Sequence, residues 1–155
     1  MIAIDTNILV YAHRRDSVHH TTAASAIRNL AETVPWAIPW PCLTEFYGVV
    51  THPRIYKPPS TIAQALQQIE LWRGSVGLTM LAETEAAWPT LRELVRTAKT
   101  VGPAIHDARI VALCLQHGVS ELWSCDRDFS RFSGLRVVNP LAPPTSARER
   151  RRRYG

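Results

Sequence analysis

The sequence predicts an α/β fold with a mainly parallel central sheet and helices on both faces. Short apolar segments rich in β-branched residues alternate along the chain with longer segments whose apolar residues recur at helical spacing. Strands that are separated by helices pair in parallel, because a helical connection returns the chain to the same end of the sheet. The 155 residues, of which 46% are hydrophobic, fit one domain with a sizeable core.

The first predicted strand and the first predicted helix meet at Asp5. The apolar residues before Asp5 are β-branched or small and indicate a short buried strand, and from Ile8 onward the apolar residues are dense enough for a buried helix. Asp5, Thr6 and Asn7 are residue types that commonly start helices. We therefore expect the chain to change from strand to helix at Asp5, with Asp5 as the N-cap.

The remaining elements follow from the same two patterns, with proline and glycine between them. The predicted strands are residues 36–38, 78–81, 121–124 and 135–139, and the predicted helices are residues 18–30, 42–50, 61–72, 85–98 and 106–117. The helix at 106–117 is apolar on nearly every side, so it is expected to be central and buried, with Gly118 ending it.

Two helices carry apolar stripes that predict which face is buried. Ser60 is the expected N-cap of the helix at 61–72. Its stripe of Ile62, Leu66 and Ile69 is interpreted as core, although a dimer or partner surface has the same pattern. In the helix at 85–98 the expected inner face is Trp88, Leu91, Leu94 and Val95.

Composition excludes several classes of protein. The three cysteines lack C-x-x-C spacing, which argues against a disulfide framework and a zinc site, so they are expected to be reduced and mostly buried. No segment approaches the roughly 18 apolar residues of a membrane span, and the N-terminus does not resemble a signal peptide. A cytoplasmic location is the expectation.

Most of the net charge of +5 lies at the C-terminus. Residues 148–153 contain five arginines and one glutamate, so the rest of the chain is nearly neutral. We predict one folded domain at residues 1–142 and a Pro-rich, then Arg-rich, disordered tail at residues 143–155. The tail could contact phosphates or simply be solvated.

Acidic residues follow two of the predicted strands. Asp5 comes after the first strand, and Asp126 and Asp128 come after the fourth. Glu45 and Asp107 lie near the N-termini of helices, which face the same edge of a parallel α/β sheet as the carboxyl ends of the strands. We therefore expect these carboxylates to converge.

A cluster of carboxylates is stable only with cations in it, because the charges repel one another. Oxygen ligands without a matching His or Cys set suit Mg²⁺ or Mn²⁺. Two such ions about 4 Å apart would activate a water and hold both oxygens of a phosphodiester displacement. Thr6, Asn7 and Ser124 are expected to orient the acids through hydrogen bonds.

The chain also resembles a known family in four ordered blocks that reach almost to Pro140. The matching blocks are Ile4–Tyr11, Thr44–Phe46, Ile105–Ile110 and Trp123–Phe132, followed by Leu135–Pro140. They resemble the PIN-domain ribonucleases, specifically the VapC-type toxins of toxin–antitoxin pairs. The resemblance implies a PIN-like three-layer fold, so that residues 1–142 would form a PIN-like nuclease domain.

The resemblance also implies a function. Acids at the positions of Asp5, Glu45, Asp107 and Asp126 would bind Mg²⁺ or Mn²⁺ and cleave RNA, with a metal-activated water as the attacking group. Asp128 matches a position that the family uses less consistently, so it is assigned a supporting role. The implied partners are RNA, a VapB-type antitoxin whose C-terminal segment fills the groove, and a second copy of the chain.

Each residue of the site also has a structural interpretation. Asp5 and Asp107 could be N-caps, Glu45 a solvated helix residue, and Asp126 and Asp128 turn residues. The alternatives in function are a catalytically silent binding module for nucleic acid or protein, and a metal-dependent DNA nuclease or phosphatase. His106 is a candidate substrate contact or a packing residue.

Several basic residues outside the tail are candidate phosphate contacts, since an acidic site needs cations around it to attract RNA. Solvated surface is the alternative for each, and we favour it for Arg14 and Lys57. The candidates are Arg14, Arg15, Arg54, Lys57, Arg109 and Arg127.

Overall fold

A computed structural model of the protein describes residues 1–33 and 35–143. The strands are β1 (Ile2–Ile4), β2 (Trp36–Pro39), β3 (Leu78–Leu81), β4 (Glu121–Trp123) and β5 (Arg136–Val138). The α-helices are α1 (Thr6–His13), α2 (His20–Thr33), α3 (Trp40–Val50), α4 (Ile62–Arg73), α5 (Ala87–Thr97) and α6 (Ile105–Gln116). Two short 3₁₀ helices were not predicted from the sequence. Gly102–Ala104 precedes α6, and Arg127–Arg131 follows Asp126 and contains Asp128.

The five strands form one parallel sheet in the order β3-β2-β1-β4-β5. From β1 the chain moves outward through β2 to β3, and it then crosses back to β4 and β5 on the other side of β1. Right-handed crossovers therefore place α1–α4 on one face and α5 and α6 on the other. The predicted α/β fold with helices on both faces is confirmed.

The strand order reverses between β1 and β4, and this is where open parallel sheets form a ligand crevice. These strands pair in register, Ile2 opposite Glu121 and Ile4 opposite Trp123. The backbone N–H of Asp5 donates to the carbonyl of Trp123 at 3.0 Å, which extends the pairing by one residue. The crevice therefore opens where Asp5 follows β1.

Helix α6 is the central helix that the sequence predicts. Its residues Ala108 and Ile110–Cys114 are buried. Gly118 has a φ of +67°, a left-handed conformation that favours glycine and that ends the helix as expected.

The predicted buried face of α4 is wrong. Ile62 and Leu66 are 64% and 49% exposed, whereas Ala65 and Trp72 are buried. The Trp72 ring packs edge-on against Phe46 of α3, with 4.9 Å between ring centroids. This aromatic contact turns the helix so that its predicted stripe faces outward, and only Ile69 of that stripe packs on the core.

The predicted N-cap of α4 is also wrong by one residue. Thr61 is the N-cap, and it forms a capping box with Gln64 through bonds of 2.9 and 3.1 Å. Ser60 is buried instead, with its hydroxyl 2.9 Å from His13 Nε2 and 3.2 Å from Arg14 Nη1.

Arg14, interpreted from the sequence as solvated surface, is buried at 9% exposure. It donates to both carboxylate oxygens of Asp16, at 2.9 and 2.6 Å. This ion pair compensates for the loss of water around the guanidinium. The interpretation of Arg14 as solvated is therefore wrong.

Helix α5 buries Ala87 and Leu94, and Leu91 and Val95 pack against the core. Trp88, predicted on the inner face, is 60% exposed. It lies in the first turn of α5, at the edge of the buried face. The other predicted boundaries agree with the structure to within three residues.

Cys42 and Cys114 are buried, Cys125 is partly exposed, and all three are free thiols, as expected. Within residues 1–33 and 35–143, no helix is long and apolar enough to cross a membrane. The predicted tail lies outside the described residues, apart from Pro143.

Candidate active site

The predicted acidic residues lie around one cavity of about 610 Å³ at the reversal of strand order. Asp5 enters it from the end of β1, Glu45 from α3 and Asp107 from the first turn of α6. Asp126 and Asp128 enter from the loop after β4. The structure therefore brings together all five carboxylates, and their chemical roles stay predictions.

Asp5 is held rigidly at the back of this cavity, where it is 5% exposed. Its Oδ1 accepts the backbone N–H of Thr6 at 2.8 Å, so the expected N-cap is present. Its Oδ2 accepts from Ser124 Oγ at 2.7 Å and from Asn7 Nδ2 at 3.0 Å. The Cys42 thiol lies 3.6 Å from Oδ1. This carboxylate has a single orientation, fixed by three chain segments.

Thr6, Asn7 and Ser124 link the acids through hydrogen bonds. The Thr6 hydroxyl donates to Glu45 Oε2 at 2.9 Å, which ties α3 to the start of α1. Ser124 Oγ accepts from the backbone N–H of Asp126 at 3.0 Å and from Asn7 Nδ2 at 3.1 Å. One hydroxyl therefore connects the loop after β4 to the carboxylate after β1.

The tightest cluster consists of Asp107, Asp126 and Asp128, whose carboxylate oxygens all lie within 4.8 Å of one another. Asp128 therefore lies among the acids rather than behind them, which its assignment as a supporting residue did not anticipate. Asp126 also caps the 3₁₀ helix by accepting the N–H of Asp128 at 2.8 Å. Asp107 is not an N-cap, since that position of α6 is Ala104. Helix capping therefore does not explain why a charged residue occupies this position.

The clustered charges and burial raise the pKa of two of these acids. Burial raises the pKa of Asp5 to about 6, against the hydrogen bonds from Ser124 and Thr6 and with a smaller contribution from the charge of Glu45. Burial also raises the pKa of Asp107, and the charges of Asp126 and Asp128 add to it, whereas Arg131 opposes them. Such repulsion is what a bound cation would relieve.

The basic residues and His106 are arranged unevenly around the cavity. His106 is exposed and lines the cavity, a position that fits a substrate contact. Arg109 forms an ion pair with Glu83, and Arg131 lies 3.7 Å from Asp128. Arg15, Arg54, Lys57 and Arg127 are exposed.

The sequence interpretation missed Tyr11 and Tyr56, which line the cavity, and Cys42, which is buried behind it. Cys42 lies one turn before Glu45 in α3, so helical spacing could have indicated its contact with Asp5. Tyr11 lies one turn after Asn7 on α1 and could have been found in the same way. Tyr56 comes from the irregular connector after α3, where no spacing rule predicts its position.

We expect Ser124→Ala to destabilise the protein by about 1–3 kcal/mol, because it leaves a buried carboxylate oxygen with one donor fewer. The loss of that donor should also raise the pKa of Asp5 further, since the bond favours the ionised form. Urea denaturation measures the first effect. The exposed Ser133→Ala is the control, and an equal midpoint for both variants would show that the bond contributes nothing.

Comparison with known proteins identifies the family. The PIN domain profile matches residues 2–135. Ribonuclease VapC48 of Mycobacterium tuberculosis is 32% identical over 139 residues, which cover 89% of this chain and 96% of that protein. VapC ribonuclease Mb2897 of Mycobacterium bovis is 32% identical over 142 residues, covering 91% and 96%.

Solved structures agree on the fold. VapBC2 from Rickettsia felis, bound to a DNA fragment from its promoter, superposes with a TM-score of 0.67 at 21% identity, covering 90% of this chain and 98% of that one. VapC20 of M. tuberculosis, described as a Sarcin-Ricin loop cleaving toxin, has a TM-score of 0.60 at 20% identity, covering 84% and 93%. From its profile match and its relatives, the chain belongs to the PIN domain family, as a VapC-type member.

Proposed function

We propose that the protein is a divalent-cation-dependent endoribonuclease and the toxin of a toxin–antitoxin pair. The observation that carries the proposal is the convergence of five carboxylates on one cavity at the reversal of strand order. A catalytically silent binding module has no need for this arrangement, because repulsion among the acids destabilises the free protein.

The donor set fits Mg²⁺ or Mn²⁺. Asp107, Asp126 and Asp128 provide carboxylate oxygens close enough to share one ion, and all five acids offer oxygen ligands. When bound, such a cation supplies a Lewis acid that lowers the pKa of water and neutralises charge on a phosphate. Asp5, Glu45, Asp107 and Asp126 are the proposed ligands, joined by Asp128 on the geometry of the cluster.

The chain itself orients these groups. Ser124 and Asn7 hold Asp5 through its Oδ2, and Ser124 also holds the backbone of Asp126. Thr6 holds Glu45. Because Asp5 and Glu45 are held before any ion arrives, little of their conformational freedom is lost on binding. With a pKa of about 6, Asp5 is mostly ionised at neutral pH and is available as a ligand.

The proposed substrate is RNA, supported by the relatives that are named ribonucleases. The partner is proposed to be a VapB-type antitoxin, since structural neighbours include VapBC complexes from Rickettsia felis and Haemophilus influenzae. A homodimer is proposed on the family resemblance alone. In these proposals the antitoxin blocks the carboxylate cavity.

A cleavage assay with matched substrates tests the proposed function. The protein is incubated with RNA, with DNA of the same sequence and with a phosphomonoester, each in Mg²⁺, Mn²⁺ or EDTA. We expect cleavage of RNA alone, with either cation, and loss of cleavage in EDTA. Addition of the cognate antitoxin should suppress it.

Two results would contradict the proposal. Full activity in EDTA would exclude dependence on a divalent cation. Faster cleavage of DNA or of the phosphomonoester would favour the DNA nuclease or phosphatase alternative instead.

A further inference from the structure

Two tyrosines form part of the wall of the carboxylate cavity, and cation binding does not require them. Tyr11 lies on α1, and Tyr56 lies in the connector between α3 and α4. Both rings are half-buried. Aromatic side chains beside a nuclease site can bind bases, because every base presents a π face that stacks on them.

Arg14 fixes the connector that carries Tyr56. Its Nη2 donates to the carbonyl of Pro58 at 3.1 Å, and its Nη1 donates to Ser60 Oγ at 3.2 Å. Asp16 neutralises the guanidinium on its other side. A buried, doubly anchored arginine therefore holds the connector against the end of α1.

The guanidinium of Arg14 also covers one face of the Tyr56 ring, with 4.0 Å from its central carbon to the ring centroid. Arg14 lines a second cavity of about 720 Å³, whereas Tyr56 lines the carboxylate cavity. Because Arg14 covers one face of the ring, the face that can stack a base is the opposite one, and the ring forms part of the wall of the carboxylate cavity. Burial above all raises the pKa of Tyr56, so the ring carries no charge at neutral pH.

Tyr11 supports the same wall from α1. Its ring centroid lies 5.0 Å from that of His19 at an interplanar angle of 55°, which restricts its orientation. Asn7, which binds Asp5, lies one turn earlier on the same helix. Helix α1 therefore positions both Tyr11 and, through Asn7, the carboxylate of Asp5.

We propose that Tyr56, held by Arg14, stacks a base of single-stranded RNA next to the phosphate that the carboxylate site cleaves. The inference rests on the proposed ribonuclease function and specifies its substrate as RNA with an unpaired base beside the cleaved bond. Arg14 is a positioning residue in this proposal, because it acts through the ring.

The test uses two oligoribonucleotides that contain the wild-type cleavage site. One is intact, and the other lacks the base of a nucleotide flanking the cleaved bond, with each flanking position tried in turn. We expect Tyr56→Ala to lower kcat/KM on the intact RNA by about tenfold or more, the range for loss of one stacked base. Wild type and variant should have equal kcat/KM on the abasic RNA that lacks the stacked base.

Three further variants separate stacking from structural support. Tyr56→Phe keeps the ring and should restore wild-type kcat/KM. Arg14→Lys should lower the ratio of kcat/KM on intact RNA to kcat/KM on abasic RNA. Adding Arg14→Lys to Tyr56→Ala should lower this ratio no further. Trp88→Ala removes an exposed aromatic residue of α5 and should change neither substrate.

Several outcomes would overturn the inference while leaving the ribonuclease intact. The first is an equal loss of kcat/KM on both RNAs in Tyr56→Ala, and the second is no loss of kcat/KM on either RNA. The third is a variant that loses only antitoxin binding. Failure of the wild-type protein to cleave RNA would instead overturn the proposed function, and this inference with it. The wild-type arm therefore distinguishes the two failures.

Discussion

Asp5→Asn should reduce RNA cleavage on the order of a thousandfold while leaving the fold intact. Asp5 is a proposed ligand at the back of the cavity, and its charge is held by Ser124, Asn7 and the N–H of Thr6. Metal-assisted charge stabilisation contributes several kcal/mol to such reactions, and each 1.36 kcal/mol corresponds to a tenfold change in rate. Asparagine has the same shape and also caps helices well, so α1 should persist.

Single-turnover cleavage measures the rate, and circular dichroism with thermal melting checks the fold. Glu70→Gln, an exposed acid on α4, is the matched control and should cleave at the wild-type rate. Wild-type activity in a folded Asp5→Asn protein would remove Asp5 from the proposed mechanism.

The placement of the acids could be predicted from sequence because it depends on local signals. Asp5 and Asp126 follow strands whose apolar pattern is clear, and parallel strands bring their carboxyl ends to one edge. Asp107 lies in the first turn of a helix that is apolar on nearly every side. These features follow from the strand and helix pattern alone, and the family resemblance indicated the same residues.

Other features of the site depend on contacts between distant segments. Arg14 is buried only because the connector, more than forty residues later in the chain, supplies Pro58 and Ser60 as acceptors. The same connector places Tyr56 on the cavity wall. No periodicity encodes the path of an irregular segment, so sequence reasoning interpreted Arg14 as solvated and overlooked Tyr56.

The exposed stripe of α4 shows a related limit. Ile62 and Leu66 have the spacing of a buried face, but the helix is oriented by Trp72 against Phe46. Apolar spacing indicates that a face exists, and tertiary packing decides which of two neighbouring faces is covered.

Ionisation of Asp5 should lower the stability of the cation-free protein as pH rises from about 4 to about 6. The pKa of Asp5 is about 6 in the folded protein and 3.8 ordinarily, so the folded state binds the proton more tightly. Folding is therefore favoured by this group below its ordinary pKa, and the advantage is lost once pH exceeds the folded pKa. The difference corresponds to on the order of 3 kcal/mol.

Urea denaturation in EDTA from pH 4 to 7 measures the free energy of unfolding of wild type and of Asp5→Asn. The difference between the two free energies cancels the contributions of the other titrating groups. The difference should change by on the order of 3 kcal/mol in favour of the variant and then level off above pH 6. Saturating Mg²⁺ should reverse the trend for wild type, because the cation binds only the ionised carboxylates and stabilises the folded state by mass action. If this difference is constant across the range, Asp5 titrates as an ordinary aspartate, and burial does not destabilise its ionised form.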